Sequence, residues 1–128
     1  MNESQILAAI RKDLGRERDL VLWRLSYSGT VKRGDHTVRG GLSVNGAADL
    51  VGILTRWLPL TVFPDGGVIR GRHGQFFALE VKAAKGKQSP AQVLWGNLVR
   101  ERGGFYAVVR SVEDARAALK RARAGESE

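Results

Sequence analysis

Apolar positions along this chain follow two rhythms, one near 3.6 residues and one of two residues. Between residues 2 and 14, Ile6, Leu7, Ile10 and Leu14 fall on one helical stripe. Asn2, with Gln5 three positions later, predicts a capping box at the start of that helix, and Gly15 predicts its end. Leu20 to Leu25, a short apolar run containing Trp23 and Arg24, predicts a strand. Ser26 to Gly46 is polar and Gly-rich, with strand pieces expected at 37–39 and 42–44. A further apolar run, Leu50 to Leu54, begins directly after Asp49.

Residues 55–75 fit a hairpin or an irregular insertion, because Pro59, Pro64 and Asp65-Gly66-Gly67 interrupt their apolar stretches. Gln75 to Lys82 alternates cleanly: Phe77, Leu79 and Val81 point one way, and Ala78, Glu80 and Lys82 the other. Ser89-Pro90-Ala91-Gln92 combines a capping serine, a first-turn proline and a capping-box glutamine. The helix it opens is expected to carry Leu94, Trp95 and Leu98 inward and to stop at Gly103-Gly104. Phe105 to Val109 predicts a buried strand. Ser111 then caps a last helix, with Val112, Ala115, Ala118, Leu119 and Ala122 inward and residues 125–128 as a frayed tail.

The order is helix, several strands, helix, strand, helix, which is an α/β pattern. The Glu80 strand, the Leu94 helix and the Phe105 strand form a β-α-β unit, expected as a right-handed parallel crossover. With 128 residues, one domain over 1–124 is expected, without internal repeats.

Composition narrows the function. There is no cysteine, which excludes disulfides, thiolate nucleophiles and Cys-based metal sites. No apolar run reaches the roughly 18 residues a membrane span needs. Met1 to Gln5 has neither the basic start nor the apolar stretch of a signal peptide, so a cytoplasmic protein is expected. Twenty-one Lys and Arg against thirteen Asp and Glu leave a net charge of +8. That excess points to a polyanionic partner, nucleic acid ahead of a membrane surface, because the one basic helix carries mostly alanine on its apolar side.

Among residues able to carry chemistry, Glu80 and Lys82 share a strand face about 6–7 Å apart at the backbone. Phosphodiester hydrolysis calls for a hard divalent cation held by carboxylate oxygens, with a positive charge nearby to orient water and offset transition-state charge. Taken alone, Glu80 and Lys82 are equally an ordinary surface ion pair. Asp49, between glycines and an apolar run, supplies a second carboxylate, and the Val81 carbonyl a further oxygen. As a bland alternative, Asp49 is a turn residue or a cap.

The blocks Gly46-x-x-Asp49-Leu50-x-Gly52, Phe77 to Lys82, Gly86-Lys87-x-Ser89-Pro90-x-Gln92 and Gly103-Gly104-x-Tyr106 through Ser111 resemble the VRR-NUC family. The form is similar to its compact stand-alone bacteriophage members, within the PD-(D/E)xK nuclease superfamily. The resemblance runs from about Leu20 to Leu119, leaving 55–75 unmatched. It implies a single VRR-NUC-like nuclease domain with a restriction-endonuclease-like core, a mixed central sheet flanked by helices. It also implies a Mg2+-dependent site (Mn2+ substituting) that hydrolyses DNA to 5′-phosphate products. By resemblance Asp49 and Glu80 bind metal and Lys82 positions or activates water. Ala48 departs from the proline common before the superfamily's aspartate, which touches turn geometry more than chemistry.

Gln92 matches the family's glutamine beside the active site, although its capping box alone explains it; the two roles are compatible. Related junction-resolving nucleases carry a glutamate on the first helix that completes the metal site, which makes Glu3 a candidate ligand. The alternative is a first-turn acid complementing the helix dipole. Arg24, Lys85, Lys87, Arg116 and Lys120, with Arg123, are candidate contacts to the DNA backbone. His36 and His73 have no catalytic or zinc spacing. Trp23, Trp57 and Trp95 are expected in the core or an interface. The expected activity is that of a homodimeric Holliday-junction resolvase acting on branched DNA. Flap cleavage, nicking, or a basic DNA-binding module without catalysis are the alternatives.

Overall fold

A computed structural model describes residues 1–33, 36–41 and 45–128, with side chains described outside 26–44. The first helix, α1 (Glu3–Leu14), starts in the expected capping box: Asn2 accepts from the Gln5 amide, and Gln5 reciprocates. It buries Ile6, Leu7, Ile10 and Leu14. Strands β1 (Leu20–Arg24), β4 (Leu50–Val62), β5 (Val68–Val81) and β6 (Phe105–Val109) form the main sheet in the order β1-β4-β5-β6. Between β1 and β4, β2 (Ser26–Arg33) and β3 (His36–Gly41) pair as a separate antiparallel ribbon. The expected piece at 37–39 lies inside β3. The polar, Gly-rich β2 had no alternation to announce it, and the piece expected at 42–44 falls outside the described residues.

β4 pairs antiparallel with both β1 and β5, whereas β5 and β6 run parallel, as a β-α-β crossover through α2 (Pro90–Glu101) requires. The sheet is therefore mixed. One face packs on α1 and α3 (Val112–Arg123), through Leu50, Leu54, Phe77, Leu79, Phe105, Ile10, Leu14 and Leu119. The other face packs on α2 through Ala48, Ala78 and Tyr106, with Val51, Trp95, Val99 and Val108. Period-2 alternation along β5 sends Phe77, Leu79 and Val81 to the first layer and Ala78 and Glu80 to the second.

Two expectations are corrected. Leu94 and Leu98 do not face inward; they are 62% and 41% exposed. The helix instead turns Gly96 to the sheet, because the Tyr106 ring lies against it. A methyl group at Gly96 would sit 2.5 Å from Tyr106 Cε1, so only glycine allows the approach. The tail at 125–128 does not fray: the Ser127 carbonyl accepts from the Tyr106 amide on edge strand β6, and Glu128 pairs with Arg100 at 3.1 Å. An edge strand has outward amides to satisfy, and the tail meets one of them. Of the two readings of residues 55–75 the hairpin is the one observed, since β4 and β5 stay paired to Val62 and Val68. Its turn closes through Phe63 and Gly67, and Pro59 is tolerated beside a register shift.

Candidate active site

Antiparallel pairing to β4 holds β5 as far as Leu79 and parallel pairing to β6 as far as Val81, so the end of the strand fixes Glu80 and Val81, with Lys82 next after it. Glu80 is 2% exposed, the one charged residue in the core of the described chain. Lys82 lies on the same face, its Nζ 3.6 Å from Glu80 Oε1. Gln92 Nε2 donates to the same oxygen at 3.0 Å. Gln92 also completes the α2 capping box with Ser89, so cap and site contact coexist in one side chain.

Asp49 comes from the turn before β4. Gly46, at φ 83°, brings that turn against the first turn of α2, where a Cβ would meet the Ala91 carbonyl oxygen at 2.3 Å. The turn is held further where the Leu25 amide donates to the Asp49 carbonyl at 2.9 Å. Asp49 Oδ2 in turn accepts from the Val81 amide at 2.8 Å, which draws its carboxylate over the end of β5. There its charge stands close enough to act on the Glu80 carboxyl. Burial first, then the Asp49 charge and contact, push the Glu80 carboxyl up to about 8, against the opposing pull of Lys82. Its second oxygen, Oε2, is buried without a hydrogen-bond partner.

A divalent hard cation suits this donor set. Two carboxylates and the adjacent Val81 carbonyl would offer it oxygen donors, and a cation would relieve both the mutual repulsion and the unpartnered Oε2. Glu3 lies to one side. Its Oε1 is 3.2 Å, and the Lys82 side chain 3.4 Å, from where a Cβ on Gly86 would stand. Among the described residues no three acidic or histidine groups converge as a metal cluster, so Glu3 does not join the Asp49–Glu80 pair in this structure.

Two neighbours were not singled out from sequence. Tyr106, buried beneath α2, has its hydroxyl raised to about 12, by burial first and then by the Glu80 charge; Gln88 Nε2 donates to it at 2.8 Å. Arg110 Nη1 donates to the carbonyls of Ala83 and Gly86 at 2.6 and 2.8 Å, fastening the loop that presents Lys85 and Lys87. Tyr106 stood only within a longer family block, and nothing in the spacing of Arg110 marked a loop clamp. Lys85, Lys87 and Lys120 are exposed, and Arg24 lies one residue before Leu25, whose amide holds Asp49. Arg116 is committed elsewhere, at 2.6 Å from both Asp13 and Glu17, and Arg123 binds Glu17 and Asp19. That part of the basic stripe joins α3 to α1 and the turn before β1. His73 is exposed, and the side chain of His36 is outside the described set. Trp95 packs between Phe76 and Tyr106, whereas Trp23 and Trp57 are 51% and 61% exposed and so not in the core.

No helix among the described residues is long and apolar enough to cross a membrane. No family model and no curated protein matches the chain. Among solved structures, one described as a VRR_NUC domain superposes with a TM-score of 0.54 at 20% identity, covering 92% of this chain and 94% of that one. A mixed four-stranded sheet between helix layers, matched over nearly its whole length, gives this chain the restriction-endonuclease-like fold of a VRR_NUC domain.

Proposed function

We propose that this chain is a metal-dependent DNA endonuclease of the VRR-NUC type, acting on branched DNA as a homodimer. The observation that carries the reading is the buried, unpartnered Oε2 of Glu80 beside a second carboxylate, with a lysine on the same strand face. A fold has no structural use for such an arrangement, whereas a cation site does. The VRR_NUC-domain fold and the net charge of +8 support the same reading.

Asp49, Glu80 and the Val81 carbonyl would hold the cation. When bound, Mg2+ or Mn2+ supplies Lewis acidity toward the phosphoryl oxygens and favours ionisation of water. Lys82 Nζ hydrogen-bonds and orients the attacking water, and its charge offsets that gained by the phosphoryl group. Gln92 fixes the rotamer of Glu80 through Oε1 and leaves Oε2 for the cation. Water attacks phosphorus in line and the bond to the 3′ oxygen breaks, leaving a 5′-phosphate and a 3′-hydroxyl. Lys85, Lys87, Arg24 and Lys120 steady the backbone near the cut. Glu3, outside the pair, acts on the Lys82 side of the site. A two-fold dimer would present two such sites to the two symmetric strands of a four-way junction, which favours Holliday-junction resolution.

The test is a cleavage panel of four-way junction, flap, fork, duplex and single strand, in Mg2+, Mn2+ and EDTA. Paired symmetric cuts in the junction are expected, absent in EDTA. Preference for a flap or plain duplex would remove the resolvase assignment, and a purified chain that never cuts DNA would leave a binding module without catalysis.

A further inference from the structure

The β4–β5 hairpin extends past the helix layers, and its side chains from Trp57 to Arg70 are exposed. A bare two-stranded ribbon is marginal in water, so one presented on both faces needs something to lie against. Its two faces differ. Alternation down β5 from Glu80 passes through Ala78, Phe76 and Gly74 to Arg72 and Arg70, all on the active-site face. Trp57 stands directly opposite Arg72 in the pairing, and Pro59 opposite Arg70. Leu58 and Leu60 belong to the other face, where Leu60 lies over Gly71.

The active-site face of the ribbon therefore presents one indole, 61% exposed, flanked by two guanidiniums. Neither the Arg70 nor the Arg72 side chain has an ion-pair or hydrogen-bond partner among the described residues. The one acidic side chain between 55 and 75, Asp65, sits in the turn and accepts from the Gly67 amide. This contrasts with Arg116 and Arg123 of α3, which are neutralised by neighbouring carboxylates. Uncompensated guanidiniums beside an exposed aromatic are complementary to phosphates and bases. A two-stranded ribbon also has the width of a duplex groove. At about 3.3 Å per residue, Arg72 and Arg70 lie roughly 26 and 33 Å along β5 from Glu80, close to one turn of B-form duplex.

We infer that the β4–β5 hairpin is a nucleic-acid-gripping arm, in which Trp57, Arg70 and Arg72 hold a duplex about one helical turn from the phosphate at Glu80. The inference rests on the nuclease reading and adds to it where the uncut duplex lies. It also implies a minimum substrate length set by the ribbon.

The test measures binding in EDTA, by fluorescence anisotropy, to duplexes of 8 and 24 base pairs over a salt series. The wild type should bind the longer duplex with extra affinity beyond the added number of sites. Arg70→Ala/Arg72→Ala should lose that gain and reduce the slope of log K against log salt by about 1.8, two phosphate contacts. Arg70→Lys/Arg72→Lys should restore the slope, and Trp57→Ala should weaken the longer duplex only, with the slope intact. Equal slopes and length dependence in wild type and the double alanine variant overturn the arm. So does a Trp57→Ala variant whose sedimentation mass changes while its DNA binding does not, since the face would then join two copies of the chain. Because no cleavage is read, a chain that binds this way yet never cuts in Mg2+ sinks the nuclease reading and leaves the arm standing. A chain that cuts while the variants bind like wild type does the reverse.

Discussion

At the seam between α1 and α3, Asp13, Glu17 and Asp19 meet Arg116 and Arg123; at the end of β5, Asp49 and Glu80 meet Lys82. The seam contacts are 2.6 to 3.0 Å and solvent-facing, with Arg116 45% exposed. Hydrogen bonds from Arg116 hold Asp13 and Glu17 below the usual carboxylate range, and one from Arg123 does the same for Asp19. At β5 the direction reverses: burial and a second carboxylate raise Glu80, and its one cation stands 3.6 Å away. Matched charges in water stabilise little but cost little. A buried carboxylate with half its oxygens unpartnered works against the fold, and such a group persists where it serves something else.

The largest effects should come from breaking the unmatched site. Glu80→Ala and Asp49→Ala are each expected to lower the cleavage rate on the order of a thousandfold or more, with DNA affinity in EDTA retained or improved. If both variants cut at the wild-type rate in Mg2+, the site assignment is wrong. Lys82→Met should cost on the order of a hundredfold in kcat, since a positive charge near the phosphoryl group is lost and both carboxylates remain. Gln92→Glu separates the two roles of that residue. A glutamate still closes a capping box, so thermal stability should hold, while a third carboxylate against Glu80 replaces an amide donor and should cost about ten- to a hundredfold in rate. A Tm loss as large as that of Ser89→Ala, with unchanged cleavage, would reduce Gln92 to a cap.

Much of this contrast was readable from the chain. The alternation of Phe77 to Lys82 placed Glu80 and Lys82 together, and the family blocks brought Asp49 to them. Both capping boxes sit where Asn2–Gln5 and Ser89–Gln92 put them. What periodicity missed, it missed for physical reasons. Leu94 and Leu98 make a better apolar stripe than Gly96 and Val99, yet a ring against glycine decided which side of α2 faces the sheet. For 55–75 Pro59 left hairpin and irregular insertion equally open, because a bulge lets a strand carry a proline that would normally end it. Arg116 and Arg123 shared a helical face with Lys120, and nothing local in sequence showed Asp13, Glu17 and Asp19 waiting for them roughly a hundred residues away.

The two regions should also answer pH with opposite sign, an effect smaller than loss of catalysis. Glu80 is raised from an ordinary 4.5 to about 8, so between those values the folded chain keeps a proton that the unfolded chain has released. That contribution is complete below about 4.5 and is lost as pH rises through about 8. The seam acids are lowered from 3.8 and 4.5, so their contribution is present above those values and lost as pH falls through their folded ones. In EDTA, the Tm of the wild type should therefore decline from pH 5 to 8 more than that of Glu80→Gln, in which the titrating group is gone. Mg2+ or Mn2+ should restore stability at pH 8 in the wild type and not in the variant, because a cation favours the ionised pair. Parallel Tm curves for the two proteins, with and without metal, would mean that Glu80 neither titrates in this range nor meets a cation.

The smallest effect is expected where the pairing looks best. Asp13→Asn with Glu17→Gln removes both carboxylates from Arg116 and one from Arg123, leaving Asp19 as the remaining partner. Those groups are solvent-screened, so the variant should melt only slightly below the wild type at low salt and merge with it at high salt, where exposed charges are damped within about 3 Å at 1 M. The gap should also close in acid, once the seam carboxylates of the wild type are themselves protonated. A large, salt-independent loss would instead show that the seam is needed to dock α3 on α1 beyond what Ile10, Leu14 and Leu119 supply. The difference between the two regions would then narrow, because the surface network would be holding the very layer against which β5 is fixed.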